Sequence, residues 1–314
     1  MKPDERQLTV EFLIICSVSI FGLNYPILKY ILGTIDPYLA NAVRMILGFS
    51  LLFSYYCWRI SDPFGRALRV IENHWFLIII VGLVGYYLSP IFYLTGMARS
   101  SASNASIILA SALIWTVVFS WWFDLDHLSK RGWLALLITL SGCLLVGVLP
   151  RDQFPTTRML IGNILLLIDA ELWGLFIVLN KRLMQVIEPL EATVWSLLFA
   201  LLPLVLTADL LTTAGPADLA DGGLILALLF SGFLSMGLAQ LWYNLGVDAL
   251  GPARAGIYGN GIPVIGLFSS VIFLGEPLSL VKIVGVCLIL VGVLLLRTDL
   301  QLELIPVPGK TPVT

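Results

Sequence analysis

Two carboxylates stand inside an apolar run. The segment LLLIDAELWG, residues 165–174, puts Asp169 and Glu171 near the centre of a stretch otherwise suited to a bilayer. An ionised group at that depth costs about 2.5 to 3.5 kcal/mol even on insertion scales. At about 100° per residue the two point roughly 200° apart, so one intact helix cannot turn both toward a single cavity. Asp169 heads a stripe that continues at i+4 and i+7 into Trp173 and Phe176, which selects it as the acid on an aqueous path. There it can exchange a proton or hold a substrate amine. Alternatively a neighbouring helix ties it up, with Arg44, itself inside a span, as the partner. Glu171 carries the same two readings.

Uncharged polar groups form a second stripe, in which Met236, Gln240, Tyr243 and Asn244 recur at helical spacing. Hydrogen-bonding groups beside aromatic faces suit a zwitterionic or aromatic metabolite, oriented by a few polar contacts in an apolar pocket. Interhelical hydrogen bonding, at about 0.6 kcal/mol per bond, is the structural alternative. YGNGIP, residues 258–263, adds Tyr258 and Asn260 between helix-weakening Gly259, Gly261 and Pro263, and Asn24 precedes Pro26 in an earlier segment. Either pattern frees backbone groups toward a cavity or serves a packing kink. The candidate substrate contacts are thus Asn24, Tyr86, Tyr93, Trp173, Gln240, Tyr243, Asn244, Tyr258 and Asn260. Asp169, Glu171 and Arg44 are the candidates for proton coupling or charge recognition.

The elements that must position these residues repeat. Residues 92–148 lie on 242–298 at a constant offset of 150, matching Tyr93 to Tyr243, Gly96 to Gly246 and Gly142 to Gly292. Upstream the offset is 152, pairing FGLNYPILK with WGLFIVLNK and Asp36-Pro37 with Glu188-Pro189. Such duplication fixes architecture before any local signal does. Each copy holds five apolar segments, and an odd number inverts the second copy. Under these offsets Asp169 falls on Ser17 and Asn24 on Phe176, so the polar residues of interest are those that break the repeat.

Hydrophobic residues make up 59% of the 314, charged residues 12%, and mean hydropathy is +0.96, whereas soluble domains carry about 25% charge. A span needs about 20 apolar residues. Ten are predicted, at 9–31, 38–58, 74–97, 103–123, 129–149, 159–181, 189–208, 223–246, 251–273 and 278–297. Hydrocarbon admits only helices or a closed barrel, and long runs without alternation select helices. The expectation is an all-α membrane protein of ten transmembrane helices, as two inverted five-helix repeats, 1–150 and 151–314, the second with a short cytoplasmic tail. Twelve Lys and Arg fall on the amino-terminal side against five on the other, so both termini are expected in the cytoplasm. Cys16, Cys57, Cys143 and Cys287 read as buried hydrophobes. Asp36 and Glu188 read as helix caps before proline, and Lys29 and Lys181 as helix-end side chains reaching for headgroups.

Five motifs together resemble the drug/metabolite transporter superfamily, specifically its EamA-like members: FGLNYPILK, ANAVRMILG with Arg44, YLTGMARSSASNAS, YNLGVDALGPARAG and FLGEPLSLVKIVGVCLILVGVLLL. The resemblance covers nearly the whole chain. It implies export or exchange of small metabolites, a central cavity lined by helices 1 to 4 and 6 to 9, and helices 5 and 10 as peripheral support. Leu113 stands where the second half has Pro263, so the fourth span is expected to lack the family's usual break. The functional expectation is a secondary transporter, in a bacterial inner membrane, of small amphipathic metabolites such as amino acids. It would work by alternating access, with proton coupling through Asp169 as a subsidiary expectation. A passive facilitator of the same substrates is the alternative. An intramembrane enzyme would need a nucleophile or metal constellation. His74 and His127 lie at opposite loop edges, and no HExxH or GxSxG pattern occurs. No cofactor, metal or nucleic-acid partner is called for; the partners are a small-molecule substrate, the lipid bilayer and protons.

Overall fold

The structure, a computed structural model, describes residues 3–123, 130–148, 156–212, 221–259 and 261–303. The described residues form helices in ten consecutive segments. The first half contains α1 (Pro3–Thr34), α2 (Pro37–Arg59), α3 (Pro63–Arg99), α4 (Ala102–Trp122) and α5 (Lys130–Val148). The second contains α6 (Thr157–Met184), α7 (Pro189–Leu211), α8 (Gly222–Leu250), α9 (Pro252–Gly259 and Gly261–Leu274) and α10 (Leu280–Glu303). Seven helices among the described residues are long and apolar enough to cross a membrane, and Gly261–Leu274 and Leu280–Gly292 are shorter apolar helices. The exterior is apolar, with Trp58 82%, Leu226 70% and Leu202 69% exposed. Water would penalise such a surface, and lipid does not.

Local chemistry sets the ends. Asp36 caps α2, its carboxylate accepting from Tyr38 N at 2.8 Å with Pro37 in the first turn. Glu188 precedes Pro189 at the start of α7 and donates its N–H to Glu191 Oε2 at 3.3 Å. Asp62 caps α3 by accepting from Gly65 N at 3.0 Å. The polar stretch before residue 74 is therefore the first part of α3 and not a loop, because Ala67, Val70 and Ile71 turn inward while Leu68 and Arg69 turn outward.

The duplication is written into the packing contacts. A Cβ on Gly22 of α1 would lie 2.5 Å from Ile265 of α9, and one on its mate Gly174 of α6 would lie 2.6 Å from Trp115 of α4, the mate of Ile265. A Cβ on Gly82 of α3 would meet Ser196 O of α7 at 2.5 Å, and one on its mate Gly232 of α8 would meet Arg44 O of α2 at 3.1 Å, with Arg44 the mate of Ser196. Helices 5 and 10 pair through Gly142 against Gly285 O and Gly292 against Ala135 O, each at 2.7 Å. Each of these three contacts has a partner under the same two offsets, as a duplicated bundle requires.

Three features depart from the sequence reading. α4 is interrupted without a proline: Ala110 and Ser111 join Ala102–Leu109 to Ala112–Trp122. Ala110 N and Ser111 N bond three residues back at 3.2 and 3.0 Å, and Ser111 Oγ donates to Ile108 O at 2.7 Å. A serine that competes for backbone carbonyls does here what Pro263 was expected to do in the other half. The repeat mate of Ala110 is Asn260, which lies outside the described residues. Second, α3 and α8 each contain a π-helical stretch, Gly82–Leu88 and Phe230–Ala239, at repeat-related positions. Such stretches are rare and concentrate at functional sites. Third, Lys29 and Lys181 do not reach for headgroups. Lys29 Nζ donates to Met97 O at 2.8 Å and to Ser100 O. Lys181 Nζ donates to Asp248 O at 2.6 Å and Asp248 Oδ1 at 3.0 Å. Each lysine closes the carboxyl end of α3 or α8, where free carbonyls favour a cation.

Candidate functional site

Helices α1, α2, α3, α4, α6, α8 and α9 wall a cavity of about 130 Å³ in the middle of the bundle. A cavity of this order holds a small molecule, since one of about 150 Å³ binds benzene. The lining repeats across the halves. Phe21 and Trp173, Tyr25 and Ile177, Tyr93 and Tyr243, Ser106 and Gly256, and Leu113 and Pro263 are mates that all face it. Among the described residues α5 and α10 contribute none to the lining, in line with the peripheral role that the resemblance implies. α7 contributes none either, against that expectation. Thr193 of α7 instead bonds Asn244, and Trp195 packs edge-on against Tyr56 at 5.2 Å and Phe53 at 6.3 Å.

Asp169 lies on the cavity wall, 4% exposed, and Ser89 Oγ donates to its Oδ1. Among the described residues no cation lies within ion-pair distance of it. Arg44 lies on the same wall, fully buried, and donates Nε–H to Ser231 Oγ in the π stretch of α8. Among the described residues its Nη1 and Nη2 have no hydrogen-bond partner. The sequence alternative in which Arg44 neutralises Asp169 is therefore not formed. Both charges face one small space, and Tyr93 lies near enough to feel each. Burying a charge without a partner is costly, which is a physical reason to expect a ligand or ordered water between them.

The remaining candidates divide. Asn24, Tyr93, Trp173 and Tyr243 line the cavity, and Asn24 Oδ1 is buried without a partner. Tyr93 packs edge-on against Tyr25 and Tyr243 against Phe21, each pair 6.0 Å between ring centres. Tyr86, Gln240 and Asn244 are brought together away from the cavity wall. Gln240 Nε2 donates to Asn244 Oδ1 at 3.3 Å, and Asn244 Nδ2 donates to Thr193 Oγ1 at 2.8 Å and Tyr86 OH at 3.4 Å. That network knits α3, α7 and α8, the interhelical alternative for this stripe. Tyr258 is half-buried, packs on the adjoining apolar cluster and is not on the wall. Glu171 is exposed on the outer surface of α6, as the angular separation from Asp169 requires. Asn260 lies outside the described residues. Tyr25, Ser89, Ser106, Thr116 and Ser235 also line the cavity and were not candidates from sequence. Two of them carried a signal there: Ser106 is the mate of Gly256 beside YGNGIP, and Tyr25 adjoins Asn24.

Polar clusters close both ends of the bundle. At the end where α1 begins, Arg66 Nε pairs with Glu191 Oε1 at 2.6 Å and Nη2 with Glu188 Oε1 at 2.9 Å, beside the Lys181–Asp248 pair. At the other end Glu276 accepts from Ala102 N at 2.9 Å and Ser103 N at 3.1 Å, capping α4, while Lys282 Nζ donates to Ser103 Oγ at 2.6 Å.

A duplicated all-helical bundle with an apolar exterior and, at its centre, a mostly apolar cavity bearing a few polar groups fits an integral membrane transporter. The EamA-like transporter family model matches residues 8–148 and again 160–298, and the chain belongs to that family, within the drug/metabolite transporter superfamily. It is similar over most of its length to the uncharacterized transporter YyaM of Bacillus subtilis, 22% identical, covering 90% of this chain and 92% of that one. It is likewise similar to the uncharacterized transporter sll0355 of Synechocystis, 26% identical, covering 93% and 90%. A crystal structure of a protein 16% identical to this chain shares the fold, with a TM-score of 0.69 over 94% of this chain and 99% of that one. Such a protein works in a lipid bilayer on a small-molecule substrate.

Proposed function

We propose that the chain is a secondary transporter that exports or exchanges small amphipathic metabolites such as amino acids. Alternating access occurs between its halves, 1–150 and 151–314, in a bacterial inner membrane with both termini cytoplasmic. The observation that carries this reading is the central cavity: walls drawn from both repeats, aromatic faces, and an acid, Asp169, that meets a hydroxyl and no cation. Aromatic and aliphatic walls suit the apolar part of a metabolite, and the few polar groups orient it. Asp169 can take up a proton from one side of the membrane and release it to the other as the halves rock, which couples flux to a pH gradient. No P-loop occurs in the sequence, in keeping with gradient-driven transport.

Reconstitution in liposomes with pooled labelled metabolites tests both levels. Saturable flux is expected, accelerated by a pH gradient, and Asp169→Asn is expected to keep some flux while losing that acceleration. Absence of saturable flux for every pool would reject the transporter reading. Flux indifferent to pH in the parent chain would reject proton coupling and leave a facilitator.

A further inference from the structure

We infer that Arg44 is the receptor for a substrate carboxylate and Asp169 the receptor for its ammonium group, so that the cavity selects zwitterions over amines and over simple acids. The inference rests on the transporter reading and goes beyond it by fixing which residue holds which charge. Arg44 is the more informative of the pair. Its guanidinium is fully buried on the cavity wall, Ser231 accepts from Nε, and among the described residues Nη1 and Nη2 have no partner. Ser231 thereby fixes the plane of the fork while the two terminal nitrogens stay free. A planar fork with parallel N–H groups matches a carboxylate in two-point contact, which a lysine cannot reproduce.

Among the described residues nothing satisfies these two nitrogens. The carboxylate on the same wall, Asp169, is not within ion-pair distance, and its hydrogen bond comes from Ser89. A small anion alone would satisfy Arg44 and leave Asp169 without a cation; an amine alone would do the reverse. A molecule with both groups, separated by a short carbon framework and bearing an apolar side chain, satisfies both and places that side chain among Tyr93, Trp173 and Tyr243. Neither charge has a mate in the other repeat: Arg44 falls on Ser196 and Asp169 on Ser17. The charged axis therefore has one direction, which gives the substrate one orientation in a scaffold that is otherwise doubled.

The test uses the full chain in detergent and begins with thermal unfolding in the presence of the twenty common amino acids. The amino acid that stabilises most is then compared with its decarboxylated amine and its deaminated acid by equilibrium binding. Each analogue is expected to bind at least about tenfold more weakly than the parent. Arg44→Gln is expected to weaken the zwitterion and the acid by a similar factor while binding the amine as the parent chain does. Asp169→Asn is expected to do the converse. Retained binding of the unaffected analogue shows that each variant is folded, and a purely structural role for either residue would lower all three ligands together. Arg44→Lys is expected to fall between, since it keeps the charge and loses the fork. The inference is overturned if no amino acid stabilises the chain, if the amine or the acid binds as tightly as the parent, or if Arg44→Gln leaves zwitterion binding unchanged. Saturable liposome flux of some other solute in any of those cases would leave the transporter reading standing. Absence of all flux would remove both.

Discussion

Glu276 shows how one side chain ties two helical hairpins together. It leads into α10, yet its carboxylate accepts from the first two backbone N–H groups of α4 in the other half, with Lys282 close by at 3.8 Å. Helix amino ends leave such donors without internal partners, and removing a cap costs about 0.5 to 2 kcal/mol. Glu276→Ala is therefore expected to lower stability in detergent by about that amount, and Glu276→Gln, which keeps one acceptor oxygen, by less; thermal unfolding reads both. Its sequence mate, Asp126, lies outside the described residues. At this scale helix geometry required that no more than one of Asp169 and Glu171 face a given cavity, and the stripe shared with Trp173 and Phe176 made Asp169 the first choice without settling it; Asp169 is the acid on the cavity wall and Glu171 is exposed. The sequence did not separate wall from network. Gln240 and Asn244 share a stripe with Met236 and Tyr243, but Thr193 of α7 and Tyr86 of α3 reach them first. Periodicity gives a face and cannot say which neighbour stands opposite. Ser89 and Ser235 were unreadable for a related reason, since a lone serine in an apolar run carries no signal until a partner such as Asp169 is brought against it.

Among the elements, close helix contacts separate what supports the site from what forms it. Gly142 of α5 meets Gly285 O and Leu288 of α10, and none of the three lines the cavity. Gly142→Val would press new atoms on a backbone oxygen that cannot rotate away, and overpacking of this kind costs about 1 to 3 kcal/mol. Because α5 and α10 give the cavity nothing, the expected outcome is a lower unfolding temperature with unchanged substrate affinity. A changed affinity would place these helices in the transport cycle. Gly82 is the contrasting position: it lies in the π stretch of α3 against Ser196 O. The ten segments were legible from hydropathy because the bilayer forces every span to be long, apolar and internally bonded. The interruption at Ala110–Ser111 was not, since the bonds that make it are local 3₁₀ and serine contacts without proline or glycine. The π stretches were equally silent, because they alter hydrogen-bond register and leave apolar composition unchanged.

For the molecule as a whole, the repeat-related lysines each hold one end of the bundle, and under the proposed alternating access these ends open in turn. Lys181 holds the carboxyl end of α8 through Asp248, and Lys29 holds the carboxyl end of α3 through Met97 and Ser100 carbonyls. The two chain offsets relate them, and inversion sets them on opposite faces of the membrane. Hydrogen bonds to a charged group contribute about 1.5 to 3 kcal/mol, so losing one latch should shift the balance between the two open forms about tenfold or more. A cysteine at Ser235, on the cavity wall, in a background where Cys16, Cys57, Cys143 and Cys287 are alanine, turns this into a measurement. Lys181→Met is expected to speed modification by a membrane-impermeant thiol reagent from the side where α1 begins and to slow it from the other. Lys29→Met is expected to do the reverse. Acceleration from the same side by both variants would show that the latches do not act as opposed gates, and the inverted halves would then need another route to alternating access. Opposed effects would tie the duplication to its use: the scaffold repeats so that one charged site, Arg44 and Asp169, faces two sides of a membrane without itself being moved.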